Sequence, residues 1–396
     1  MNRLFPYLIV SGMLFLGACA TSEPVAVVED TPDAAPVSPL DGLNYVSVQN
    51  GSVALTHSDS GTTSMGESGS TVLSVVSSDR SHLAMATKSA SGSVLTLIGT
   101  TNGSTQTLHE GGPDLVFSGV WTADGSRFYF GFYAPEGNRM GAGDIRWVNA
   151  VTGASGRVGC SASKAVLAVL RDGSLLVRNT DNMYQVSADG CDTLRTVDAR
   201  KMYHVTVSPD GSHLAYVLRD LVYNRDSRQY EPDSTLYMEL TTGSDPVKVV
   251  GDKYAPRNMS WSPDGSEILF DVGLQDDTDR RAVSVYTLAS ARSSYLIAPT
   301  DGVASLSHAS FSPNGRHVVY RSTESDGTHD WMVKTTGSQF SQVINSEAVR
   351  QSGQLSWVDD DTGLILTDGG ESELVHFGGA NVTSVPLGAT ILAAWR

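Results

Sequence analysis

Nine histidines and three cysteines carry most of the scope for acid–base, metal or redox chemistry in this 396-residue chain. Their spacing matches no catalytic pattern. There is no H-E-x-x-H, C-x-x-C, P-loop or dinucleotide fingerprint, and no G-x-S-x-G elbow; in Gly61-Thr-Thr-Ser64-Met-Gly66 the serine falls one place late. Four polar residues stand out by position instead. His204, Asn258, His308 and Gln354 each lie six residues before a recurrent turn residue. They are the candidate ligand-binding set. His82, His213 and His317 lie three residues after their turns, where Arg127 and Glu267 also sit, and are expected to face solvent. A second candidate is the segment Arg219–Asp233. It carries Tyr223, Arg225, Arg228 and Tyr230, a composition favoured at protein contacts. Asp276, Asp277 and Asp279 lack the spacing of a full calcium ligand set. No metal or other cofactor is called for.

These residues are placed by a repeat. Its clearest copies run Val207-Ser-Pro-Asp210-Gly-Ser-His-Leu-Ala-Tyr216, Trp261-Ser-Pro-Asp264-Gly-Ser-Glu-Ile-Leu-Phe270 and Phe311-Ser-Pro-Asn314-Gly-Arg-His-Val-Val-Tyr320. Proline fixes φ at the first corner, Asp or Asn bonds back to the backbone, and glycine takes the positive-φ site. Alternating apolar residues after the turn predict a strand with one buried face. Weaker copies centre on Asp79, Asp124, Asp172 and Asp360. A third and a fourth strand follow most turns, as at Leu236–Leu240 and Val247–Val250. Four antiparallel strands per repeat of about forty to fifty residues is the pattern of a β-propeller blade.

The S-P-D-G turn led by Trp or Phe and followed by an apolar strand resembles the TolB-type propeller repeat, over roughly residues 41–396. The resemblance implies an all-β propeller, with no segment for the N-terminal α/β domain of TolB itself. Seven turns leave strand material at both ends. Thr390–Trp395 supplies one strand, while Leu43–Val48, Val53–His57 and Thr62–Met65 supply three. The expected architecture is eight blades, closed by one C-terminal and three N-terminal strands, with seven blades as the alternative. In such a ring His204, Asn258, His308 and Gln354 are expected along one arc of the channel mouth. The long connections Ala134–Ala142, Arg219–Asp233, Gly273–Arg280 and Ser322–Asp330 would then share that face.

The first residues set the compartment. Met1-Asn2-Arg3 precedes an apolar run, Leu4–Leu16, too short to span a bilayer and typical of a signal-peptide core. Leu16-Gly17-Ala18-Cys19 resembles a bacterial lipobox, which implies cleavage before Cys19 and a lipid on its thiol. Residues 1–18 are read as signal peptide, 19–40 as lipidated Cys and Pro-rich tether, and 41–396 as propeller. Ala20 at the second mature position implies outer-membrane sorting, with the propeller in the periplasm or at the cell surface. Cys160 and Cys191 are left open as a possible disulfide. The net charge of −16 argues against nucleic-acid binding.

No catalytic machinery, a lipobox and clustered long connections point to a non-catalytic scaffold. Its membrane contact is through the lipid alone. TolB-type propellers dock envelope lipoproteins, so the resemblance implies an envelope protein or a peptidoglycan-associated lipoprotein as partner. The alternative is a metal-dependent polysaccharide or uronate lyase, because some lyases of related propeller build hold a divalent ion through channel histidines and a glutamine.

Overall fold

A computed structural model describes residues 42–49, 52–58, 61–67, 70–137, 139–159, 165–189, 192–198, 202–224, 228–251, 254–274, 280–338, 340–344, 353–367, 372–377, 382–387 and 390–395. The chain is an all-β propeller. Among the described residues 32 strands form, and they pair as eight antiparallel sets of four. Sheet 1 joins Thr390–Trp395 to Asn44–Gln49, Ser52–His57 and Gly61–Glu67. Sheets 2 to 8 follow in chain order, over 70–111, 116–157, 165–198, 202–250, 257–297, 303–343 and 353–386. Sheets 6 and 7 also touch through one parallel pairing, Arg281 with Ser305. The expected one-plus-three set is the pairing found. Tyr45 lies opposite Ala394 and Val46 opposite Ala393, so the chain's two ends complete one sheet.

Each sheet alternates side chains between two faces, and both faces bury apolar residues against neighbours. Val46, Leu55 and Ile98 join sheets 1 and 2, while Leu95, Phe128 and Phe130 join sheets 2 and 3. Equivalent clusters fill each later interface. The last, containing Leu43, Leu364, Leu374 and Ile391, packs sheet 8 against sheet 1. A buried ion pair supplements this packing between sheets 4 and 5, where Arg195 Nη2 meets Glu239 Oε1 at 2.7 Å.

The repeat turn is a hydrogen-bonded lock. In sheet 5 Ser208 Oγ donates to Asp210 Oδ1 at 2.6 Å and accepts the His213 N–H at 2.9 Å, while the Ser212 N–H donates to the same carboxylate at 3.1 Å. Gly211 takes φ 70°, which lets its N–H reach the Ser208 carbonyl at 2.8 Å. Burial raises the Asp210 pKa, but the bonds from Ser208 and Ser212 and the nearby His213 outweigh it and bring the carboxyl down to about 2. In sheet 7 Asn314 replaces the acid and accepts the equivalent bonds from Ser312 Oγ and the Arg316 N–H, at 2.8 and 2.9 Å.

The histidines after these turns do not simply face solvent as expected: His82 and His213 are half-buried and His317 is buried. His82 lies 6.2 Å from the Trp121 ring of the next sheet, and His213 lies 6.3 Å from Trp261. His317 is 5% exposed and its Nε2 lies 3.2 Å from Asp361 Oδ1. The repeat tryptophans reach the other way. Trp121 Nε1 donates to the Val75 carbonyl at 3.1 Å and Trp357 Nε1 to Ser310 Oγ at 3.3 Å. Trp261 Nε1 is buried without a protein partner among the described residues. The residue after one turn and the residue before the next thus form an inter-sheet seam, which single-strand alternation does not reveal.

Two predictions follow from the lock and the seam. Asp210→Ala should cost about 1 kcal/mol at neutral pH by orphaning its donors, whereas Asp210→Asn should cost less, as Asn314 shows the amide fits. The folded carboxyl titrates below its ordinary 3.8, so its stabilisation is present above that pH and fades as pH falls toward about 2. Urea titrations at pH 7 and pH 3 should show Asp210→Asn closer to wild type at the lower pH; an unchanged gap would remove the linkage. In the seam, Trp121→Phe should lower the unfolding free energy from urea titration more than Trp261→Phe, by about 1 kcal/mol, because only the first loses a hydrogen bond. Equal losses would refute the assignment.

Candidate functional site

The inner strands of sheets 5, 6 and 7 share an irregularity at the candidate positions. Tyr203 pairs with Val217 and Val205 with Tyr216, so His204 is an extra, unpaired residue. Asn258 lies in the interruption between Arg257 and Ser260, and His308 in that between Ser307 and Ser310. All three sit in the left-handed region, at φ 50°, 49° and 56°. That conformation is costly for most residues, and Asn and His are among those enriched there. β-Bulges of this kind redirect side chains. The equivalent residues elsewhere behave differently. Leu73 packs between sheets 2 and 3, Val166 is buried between sheets 3 and 4, and Ser118 Oγ accepts the Val166 N–H at 2.9 Å.

The three bulged residues have different roles in the local structure. Asn258 Nδ2 donates to Asp271 Oδ2 at 3.2 Å. Arg281 donates Nε to the same oxygen at 3.3 Å, and Nη2 to the Asp271 and Ala255 carbonyls at 3.0 and 2.6 Å. Burial pushes the Asp271 carboxyl up to about 6, against the pull of Arg281 and Asn258. Asn258 is therefore committed to holding the inner strand. His204 and His308 are exposed. His308 Nδ1 lies 3.0 Å from Ser307 Oγ, and partial burial together with Arg321 lowers its pKa, favouring the neutral ring. Gln354 belongs to the strand Gly353–Trp357, but its side chain lies outside the described residues.

Arg219–Asp233, read as a long connection in the sequence, is mostly strand. His213–Asn224 pairs with Gln229–Leu240 along its whole length, down to Asn224 opposite Gln229. The inner strand begins at Met202, opposite Leu218, so the hairpin from Arg219 onward runs past it. Tyr223 lies opposite Tyr230 and is half exposed. Arg228 is exposed at φ 57°. Arg225 and the Tyr230 side chain lie outside the described residues. Ala134–Ala142 and Ser322–Asp330 likewise extend strands around short turns. Strand pairing along these segments satisfies backbone groups that an extended loop would leave to water. Asp276, Asp277, Asp279, Cys19, Cys160 and Cys191 lie outside the described residues.

At the hairpin's base the two candidate regions meet. His204, Val217, Arg219, Ser234, Ala255, Pro256 and Arg257 line one cleft of about 110 Å³. Arg257 and Arg219 are exposed there, and Arg321 in sheet 7 lies opposite Ser307, beside His308. Position in the repeat singles out His204, Asn258 and His308, and Arg219 enters only as the first residue of the candidate segment Arg219–Asp233, so Arg257 and Arg321 are the members of this arc that sequence does not flag. Their signal was modest: Arg257 immediately precedes Asn258, and Arg321 occupies the strand position paired with Ser307. Such a cleft can hold an anionic group through forked donors. Of the residues lining this cleft only His204 is an ordinary metal ligand, so the cleft itself does not fit a divalent ion.

No family model matches the chain, and no curated protein matches it in sequence. Solved structures do match in fold. The β-propeller domain of the Trilobed protease from Pyrococcus furiosus aligns with TM-score 0.51 at 11% identity, over 86% of this chain and 97% of that one. Oligogalacturonate lyase from Vibrio parahaemolyticus aligns with TM-score 0.51 at 12% identity, over 87% and 95%. TolB from Acinetobacter baumannii aligns with TM-score 0.42 at 11% identity, over 89% and 82%. Against a prolyl endopeptidase, at TM-score 0.49 and 15% identity, 87% of this chain aligns but spans about half of that protein's length. At 11% and 12% identity, the two alignments with TM-score 0.51 show the fold alone, a β-propeller.

Proposed function

We propose that this chain is a non-catalytic binding scaffold of the bacterial envelope. The lipid on Cys19 holds it to the outer membrane, and its propeller, in the periplasm or at the cell surface, docks an acidic surface of an envelope protein or peptidoglycan-associated lipoprotein. The observation that carries the reading is the convergence of His204, Arg219 and Arg257 on one cleft beneath the extended hairpin. The whole chain carries a net charge of −16, so a cationic cleft on it is a local reversal of sign. Such a reversal steers acidic partners to one face and repels them elsewhere. Further out on the same hairpin strand, four residues beyond Arg219, the half-exposed Tyr223 adds an aromatic side chain of the kind enriched at interfaces. The cleft is small, which suits a few anchoring side chains better than a whole substrate.

The test is crosslinking with mass spectrometry on intact cells, comparing wild type with Arg219→Glu and Arg257→Glu. The expected result is a specific partner whose recovery falls about tenfold with either reversal. With purified partner the difference should shrink at high salt. A partner set unchanged by both variants would overturn the docking site. Cys19→Ser should shift the chain from the membrane to the soluble fraction. Retention in the membrane fraction would overturn the lipid anchor.

A further inference from the structure

A second cationic site lies at the outer end of the groove between sheets 2 and 3, away from the proposed docking cleft. Its origin is a cross-strand pair of like charge. Arg146, in the strand Arg139–Asn149, stands directly opposite Arg157, in the short edge strand Ser155–Arg157. Like charges directly opposite one another destabilise a sheet, so the pair needs a counter-charge. Asp144 supplies it from below. Its side chain is 7% exposed, and its Oδ1 accepts Arg157 Nε at 2.7 Å while Oδ2 accepts Arg146 Nε at 3.4 Å. The Ile145 N–H adds a bond to Oδ1 at 3.0 Å.

One carboxylate thus faces two guanidinium groups, which leaves a local charge of +1. Both arginines are engaged through Nε, so their terminal nitrogens have no hydrogen-bond partner among the described residues. Arg146 is further oriented by the Phe132 ring, 5.3 Å from its Cζ. The two side chains are 41% and 61% exposed and open on a cavity of about 290 Å³. Gln106 and Thr107 line it from sheet 2 and Ser155 from sheet 3, with Leu108 and Phe130 as apolar wall. Glu110, on the same strand as Gln106, forms no ion pair with either arginine.

We propose that this groove binds the phosphate or sulfate group of a small ligand. Two guanidinium forks, two hydroxyls and one amide offer more donors than a planar carboxylate has acceptor sites to use, and they suit a tetrahedral oxyanion. Asp144 orients both forks before the ligand arrives, which lowers the ordering cost of binding. The anion in turn relieves the repulsion between Arg146 and Arg157.

The test is calorimetric titration of the full chain with inorganic phosphate and separately with glycerol 3-phosphate, with acetate as the planar control. Wild type should bind at least one phosphate probe with a dissociation constant of about 1 mM or tighter, and acetate more weakly. Tighter binding of glycerol 3-phosphate points to a phosphate ester, such as a lipid headgroup, as the source. Tighter binding of the inorganic ion points to free phosphate. Arg157→Gln and Arg146→Gln should each weaken binding by about tenfold or more, and Arg157→Lys, which keeps the charge without the fork, should recover part of it. Circular dichroism checks that the variants fold, and Arg157, largely exposed, is the safer of the two. Arg257→Gln separates this site from the docking cleft and should leave phosphate binding unchanged. No phosphate binding by wild type, equal binding by folded Arg157→Gln, or loss confined to Arg257→Gln would each overturn the proposal.

Discussion

Every feature of this molecule depends on one constraint: a four-stranded sheet with two apolar faces cannot cover itself. Each face must be buried by another sheet, and a row of such sheets would leave two faces bare at its ends. The seam between sheet 8 and sheet 1 removes those ends, with Leu364 and Leu374 on one side and Leu43 and Ile391 on the other. The pairing with Thr390–Trp395 also gives the inner side of Asn44–Gln49 its backbone hydrogen-bond partners. Closure therefore serves hydrophobic burial and backbone hydrogen bonding at the same place, with strands from opposite ends of the chain.

A closed ring can carry local strain that an isolated hairpin could not. His204, Asn258 and His308 each hold a left-handed conformation in an inner strand. The packed interfaces around them over-determine their position. In sheet 6 the strain is locked by Asp271 and Arg281. In sheets 5 and 7 the bulged histidines are left exposed. The same irregularity thus fixes the frame in one sheet and turns a titratable side chain outward in its two neighbours.

The architecture was legible because the repeat turn is a local device. Ser, Asp and Gly in Val207–Tyr216 specify their own hydrogen bonds with little help from the rest of the chain, so spacing alone places the strands. The closing sheet was legible because its two parts have complementary lengths. What sequence could not supply was the partner of each side chain. The register argument treats position six before the turn as equivalent in every repeat, yet the inserted residue falls at His204 in sheet 5 and between Val166 and Ala168 in sheet 4. The histidines after the turns were misplaced for a related reason. Alternation says which face of a strand a residue occupies, but His213 and His317 are shielded by the neighbouring sheet, and that sheet begins some forty residues away.

The same limit explains why the arginines escaped notice. In a chain with 43 acidic and 27 basic residues, any one arginine looks like a solvated counter-charge. The structure separates them by the acid each one meets. Asp144, Glu239 and Asp271 are buried carboxylates that each hold an arginine or two: Arg146 and Arg157, Arg195, and Arg281. A buried acid without a cation would be costly, so each of these sites requires its arginine. The reverse does not hold. Arg195 and Arg281 are mostly enclosed with their acids and act as ties between strands or sheets, whereas Asp144 is given two cations and neutralises one. The surplus charge cannot be explained by the needs of the carboxylate. It remains at the surface, held in a fixed geometry by a group that is itself hidden, and that is the arrangement a protein of strongly negative charge needs in order to attract an anion.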